Sequence, residues 1–213
     1  MKKVKQKMKM RDENQVLLSG YIPAGFLYTH DEYIGEKMYT GDMVIFRENS
    51  SVYDILPVIV PERMHRKGTE HMVSVIGEMR SRRVWDGEHK NTLNCIRAID
   101  VKYLDKPEEH DVNEVYLTGE IAFNPKPTKE YKNRKIARII LNIKRSKRND
   151  EKKFDSICCK FWDENAERVA GLKQGQKIKV TGRFQSYEKK GCDSQEQIYV
   201  YVNRLEVLNN GES

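Results

Sequence analysis

The chain has 213 residues, 33% of them charged and 38% hydrophobic, with a formal net charge of +7 at pH 7. That length accommodates two ordinary domains, each able to bury a modest core. No apolar run reaches the roughly 18 residues of a membrane span, and the basic start lacks the apolar stretch and cleavage site of a signal peptide, so a soluble cytoplasmic protein with no membrane partner is expected.

Taken in chain order, residues 1–13 form a basic tail, with Lys2, Lys3, Lys5, Lys7, Lys9 and Arg11. Such a run is expected to be disordered and to add salt-sensitive affinity for a polyanion. The segment Asn14 to Ile22 then opens a pattern that the chain repeats about 100 residues later, as Asn113 to Ile121. Three more blocks recur in the same order: Tyr53 to Leu56 as Phe154 to Ile157, Val73 to Ser81 as Ile178 to Ser186, and Ile96 to Leu104 as Val200 to Leu208. Four ordered matches mark an internal duplication. The expected division is a first domain over 14–105, a linker over 106–112, a second domain over 113–208 and a short tail over 209–213.

The copies differ in charge. The first carries −2 and the linker −2, whereas the second carries +8. Charge gathered on one domain points to a polyanionic partner, although a solvated lysine-rich surface accounts for it equally well on charge alone.

Within the second copy, apolar residues alternate with period two, the sign of half-buried strands. Val115, Leu117, Gly119 and Ile121 share one side; then come Ala137, Ile139, Leu141 and Ile143, followed by Ile157, Cys159 and Phe161. Ile178, Val180, Gly182 and Phe184 make a fourth segment, and Ile198, Val200 and Val202 a fifth. Between the third and fourth, Asp163 to Leu172 has acids at its start and Gly175 beyond its end, which fits a short helix. Five strands with a helix after the third is the order of the OB-fold barrel. The expected fold is therefore all-β, two tandem five-stranded OB-fold barrels, with the helix present only in the second. In the first copy Pro61 to Gly68 takes its place, as a loop or single turn.

The run Phe154 to Glu167, followed by Leu172 to Ser186, resembles the bacterial single-stranded DNA-binding proteins and the related primosomal replication protein N. The opening Asn113 to Ile121 looks like theirs too. The first copy is more distant, its clearest match being Gly77 to Trp85. The resemblance implies an OB-fold that binds single strands by base stacking and backbone contacts, with Trp162 at a base-stacking position; Pro61 occupies that position in the first copy. It also implies four barrels per functional unit, which favours a homodimer over a monomeric pseudo-dimer. Family members usually end in an acidic tail with a hydrophobic tip. This chain stops at Leu208 to Ser213, so a phage or plasmid role in replication, recombination or transfer is expected over the housekeeping one.

The residues point the same way independently. Holding an unpaired strand without reading its sequence takes cations along the phosphates and aromatic faces for the bases. With Ile157, Cys159 and Phe161 inward, Ser156, Cys158, Lys160 and Trp162 face outward. The same parity puts Arg138, Asn142 and Lys144 outside on the second strand, Lys179 and Arg183 on the fourth, and Tyr199 and Tyr201 on the fifth, with Tyr187 as a further candidate contact. The connection 144–153 adds Arg145, Lys147, Arg148, Lys152 and Lys153 as a basic hairpin able to wrap a strand. Arg80, Arg82, Arg83 and Trp85 of the first copy are candidates for a secondary contact. Ile55, Pro57, Ile59 and Pro61 give the third strand of the first copy a second apolar face, which needs cover; they are expected to pack against the second copy or another subunit.

No cofactor, metal or catalytic constellation is expected. The cysteines Cys95, Cys158, Cys159 and Cys192 have no metal-ligand spacing and read as free thiols, and the histidines are scattered. Two other functions remain open from sequence: an assembly protein whose first domain grips a replication or conjugation partner, and a single-stranded RNA binder.

Overall fold

The computed structural model describes residues 13–31, 35–86, 89–106, 111–145, 154–188 and 196–208, the side chains of 82–86, 89–91, 188 and 196–197 excepted. The basic tail before Glu13, Cys192, and Lys147, Arg148, Lys152 and Lys153 of the basic connection lie outside the described residues, as do the side chains of Arg82, Arg83 and Trp85.

Among the described residues, twelve strands, one turn of 3-10 helix and one α-helix follow one another along the chain. The first half has β1 (Asn14–Ile22), β2 (Leu27–Asp31), β3 (Lys37–Phe46), β4 (Tyr53–Pro61), β5 (His71–Asp86) and β6 (His89–Leu104). The second has β7 (Asn113–Ile121), β8 (Lys129–Tyr131), β9 (Arg134–Lys144), β10 (Phe154–Trp162), α1 (Asp163–Ala170), β11 (Lys177–Glu188) and β12 (Glu196–Leu208). Sequence periodicity finds five strands per copy; the additional β2 and β8 are short hairpin partners of β3 and β9, too exposed to alternate in polarity.

Each half closes on itself. In the first, β4 runs parallel to β6 and β1 returns to β3 through Tyr21 and Val44; in the second, β10 runs parallel to β12 and β7 returns to β9 through Glu120 and Asn142. These closures make two OB-fold barrels, as expected. The inward residues of β7, β9, β10, β11 and β12 fill the second barrel, and Phe161 and Phe184 are its largest fully buried side chains. Ala166 and Val169 of α1 close its base. In the first barrel one turn of 3-10 helix, Glu62–Met64, stands in that place, with Met64 packed on the core and His65 stacked on Tyr39 at 3.9 Å.

Two glycines per barrel permit the bends. Gly119 lies where β7 crosses to β9, and a Cβ there would sit 2.5 Å from the Asn142 carbonyl oxygen; Gly20 meets Val44 in the same way. Gly182 lies at the register shift of β11 against β12, where a Cβ would fall 2.0 Å from the Tyr201 carbonyl oxygen. The obstacle is backbone and cannot rotate away. Gly182→Ala is expected to destabilise the protein by about 2–3 kcal/mol, as overpacking does, with the loss read by chemical denaturation.

The strand order of the continuous sheet reads the same from either end, β2-β3-β4-β6-β5-β1 meeting β7-β11-β12-β10-β9-β8. The two barrels join through β1 and β7, antiparallel, with Val16 opposite its own counterpart Val115. A pseudo-two-fold axis passes there, so the seam's contacts come in pairs. Ser19 N–H donates to the Val112 oxygen and Thr118 N–H to the Glu13 oxygen. Within each barrel the strand at the seam is tied to its neighbour in the same paired way: the side chain of Asn14 brackets the backbone of Met79, and that of Asn113 brackets Phe184.

Two buried carboxylates secure the outer parts of the seam. Asp54 accepts from Nε and Nη2 of Arg47 in its own barrel and from the Ser186 N–H of the other. Asp155 accepts from Nε and Nη2 of Arg145, and across the seam from Nη1 of Arg80 and the Ser81 N–H. Ser186 Oγ accepts the Ile55 N–H, as Ser81 Oγ accepts that of Ser156. The duplicated Asp-Ile and Asp-Ser steps of the sequence therefore mark the places where each barrel holds the other.

Candidate nucleic-acid interface

The outward residues of β10 find their neighbours through strand register. Lys160 stands opposite Arg138 on β9 and beside Tyr201 on β12. Trp162 is opposite Ile136, Cys158 opposite Ile140, and Ser156 opposite Asn142, to which it is hydrogen-bonded at 2.8 Å. On the other flank Tyr201 pairs with Arg183, Tyr199 with Gln185, and Gln197 with Tyr187. One face of the second barrel thus gathers Arg138, Asn142, Lys160, Trp162, Arg183, Tyr187, Tyr199 and Tyr201, all proposed from sequence.

Two aromatic groups occupy this face. At one end Trp162 stacks against Tyr201, centroids 6.2 Å apart and planes 28° apart, while Tyr131 meets Trp162 edge-on at 6.3 Å. The Arg134 guanidinium lies 4.7 Å over Trp162, and that of Arg183 lies 5.2 Å over Tyr201. At the other end Tyr187 and Tyr199 stand 5.6 Å apart, with the Lys160 ammonium 3.4 Å from the Tyr199 ring centre and 4.7 Å from that of Tyr187. Cations on ring faces are attracted by the ring quadrupole, and Trp162, Tyr201 and Tyr187 keep exposed surface beside them; Tyr199, expected on the outward side, is instead buried, because Lys160 covers its ring and its hydroxyl is hydrogen-bonded to Gln185.

Burial shapes their protonation. It lowers the Lys160 ammonium below the ordinary lysine value, with Arg138 adding repulsion and Cys158 opposing the shift. It raises Tyr187 and Tyr199 above the ordinary phenol value, and the Cys158 thiol likewise. A polyanion on this face is therefore expected to weaken as pH rises through the lowered Lys160 value, earlier than for an ordinary lysine. Lys160→Met removes that step, and anion titration against pH checks it.

Other sequence-proposed residues lie elsewhere. Arg80 and Arg145 hold Asp155 at the seam, Arg80 pairing with Glu78 as well. Lys179 lies at the far end of β11, ion-paired with Glu13 at 2.9 Å. Lys144 ends β9 opposite Phe154. Ile55, Pro57 and Ile59 are half-buried and Pro61 is buried; among the described residues this strand is hydrogen-bonded to the second barrel at its start, through Asp54 and Ile55, while β1 and β7 form the main join. The registers that place Lys160 beside Tyr201 and Arg138 place Ile59 beside Arg97 and Thr40 in the first barrel, where Pro61 stands for Trp162. Pro61 and Arg97 of the first barrel thus stand where the second barrel has the rings of Trp162 and Tyr201.

Sequence reading missed Tyr131 and Arg134. They flank the two-residue turn Lys132-Asn133, both at positive φ, which folds β8 back on β9 and delivers both side chains to Trp162. Asparagine in a two-residue turn is a hairpin signal, and it was available in the sequence. Sequence also gave no sign that Asp54 of the first barrel lies 3.9 Å from Arg183 of the second.

No helix among the described residues is long and apolar enough to cross a membrane, and no cluster of three metal-ligating side chains occurs among them. Residues 112–208 match the model of the single-strand binding protein family. The matched span is the second barrel, and it contains Asn113 to Ile121, Phe154 to Glu167 and Leu172 to Ser186; Gly77 to Trp85 of the first barrel lies outside it. Among solved structures, the single-stranded DNA-binding protein of Thermus aquaticus is similar over 96% of this chain and 97% of its own, with a TM-score of 0.74 and 21% identity. A deletion variant of that protein is similar over 95% and 98%, with a TM-score of 0.76 and 19% identity. The likeness in structure extends over both barrels and is one of fold. No curated protein sequence matches the chain.

Proposed function

From a second barrel that matches the single-strand binding protein family, we propose that this protein binds single-stranded DNA with little sequence preference, without catalysing a reaction. The observation that carries this reading is the joining of Trp162, Tyr131 and Tyr201 with Lys160, Arg138 and Arg183 on one barrel face. Rings accept any base because every base has a π-face, and the cations follow the backbone. Nothing in that arrangement distinguishes one base edge from another. The protein would cover or present single strands in replication, recombination or transfer of DNA in the cytoplasm, and a homodimer would bring four barrels to the strand.

The test is fluorescence titration with oligo-dT, oligo-U and a matched duplex at two salt concentrations, alongside sedimentation. Quenching by oligo-dT with weaker response to duplex supports the reading. Equal, salt-abolished binding to all three would remove it.

A further inference from the structure

We propose that Asp163 is a positioning residue of this site, one that holds Arg134 over Trp162 and withholds that cation from a bound strand until a phosphate displaces the carboxylate. The inference rests on the single-strand reading above. Asp163 Oδ2 accepts from Nε of Arg134 at 2.9 Å and from Nη2 at 2.6 Å, and Oδ1 accepts the Lys135 N–H at 3.2 Å. The guanidinium so held lies 4.7 Å from the centre of the Trp162 ring. Glu167 of α1 pairs with Lys135 in the same way. Both cations that follow the β8–β9 turn are thus engaged by acids of the helix that follows Trp162.

Three observations suggest an arrangement made to be exchanged. The pair is about half exposed on both sides, so phosphate oxygens can reach the guanidinium and form the same forked contact. Asp163 sits in left-handed backbone, φ 52°, a conformation that aspartate and asparagine tolerate better than most residues. The Trp162 Nε1 is occluded without an acceptor among the described residues, so a shift of the indole towards a base forfeits no hydrogen bond made there. The charges agree: the Arg134 guanidinium holds the Asp163 carboxyl below its ordinary range, and Asp163 raises Arg134.

The consequence is measurable as salt dependence. Each phosphate neutralised on a single strand contributes about 0.7 to the slope of log affinity against log salt. Asp163→Asn keeps the left-handed backbone and an acceptor for Lys135 but removes the charge. It is expected to bind oligo-dT about three- to tenfold more tightly at moderate salt, with a slope steeper by about 0.7. Asp163→Glu should keep the native slope. Arg134→Ala alone and combined with Asp163→Asn should give equal affinities, because Asp163 acts through Arg134.

An unchanged slope or weaker binding in Asp163→Asn, with native binding intact, overturns the latch and leaves the single-strand reading standing. Absence of oligo-dT binding by the native chain overturns both.

Discussion

Trp162→Ala is expected to weaken oligo-dT binding roughly 10- to 100-fold, while Trp162→Phe retains most of the affinity. One base stacked on an aromatic side chain contributes about 1–3 kcal/mol, and every 1.4 kcal/mol is about a factor of ten. Phenylalanine keeps a flat face, whereas alanine removes it. Alanine also takes away the partner of Tyr201 and Tyr131, which meet Trp162 at 6.2 and 6.3 Å, so the loss belongs at the upper end of the range. The chain has two tryptophans, Trp85 and Trp162. Quenching that disappears in Trp162→Phe while binding persists would place the stacked base on this ring. Equal affinities for native, Phe and Ala chains would show that the strand lies elsewhere.

Asp155→Ala is expected to cost about 2–4 kcal/mol of stability. Asp155 is fully buried and accepts from Arg80, Arg145 and the Ser81 N–H. Breaking a buried ion pair from one side costs about 3–5 kcal/mol because the other charge is left without a partner. Here the two guanidiniums retain some exposure, 14% and 28%, and water can recover part of the loss. For a chain of this size each kcal/mol moves the melting temperature by about 2–4 °C. Calorimetry showing a shift under 2 °C would mean that the seam does not depend on this carboxylate. Asp155→Asn, which keeps an acceptor for Ser81, should fall between the two.

The two experiments separate the roles of charges that look alike in the sequence. Lys160 and Arg183 stand on ring faces, whereas Arg80 and Arg145 hold the barrels together. All four are basic residues at strand or strand-end positions. Only the neighbour that each meets assigns the work.

The sequence by itself determined the duplication, the two barrels and, for most residues of the second barrel's five longer strands, the inward and outward sides; Tyr199 is the exception. Period-two alternation gives the side of every residue directly, since successive side chains point to opposite faces. It placed Ile157, Cys159 and Phe161 in the core and Lys160 and Trp162 outside, and the structure agrees. The helix over the base of the second barrel was legible too, because its acids, alanines and terminal glycine are local signals. Parity says nothing about which outward residues become neighbours. That depends on contacts between strands far apart in the chain, such as the parallel pairing of β10 with β12 and the closure of β7 on β9. Those pairings drew Tyr199 and Tyr201 onto the rings and cations of one face. The pseudo-two-fold join of β1 with β7 set the remaining assignments. It brought Arg80 to the carboxylate of the other barrel and Asp54 to Arg183, a meeting of residues more than a hundred positions apart that no local pattern encodes.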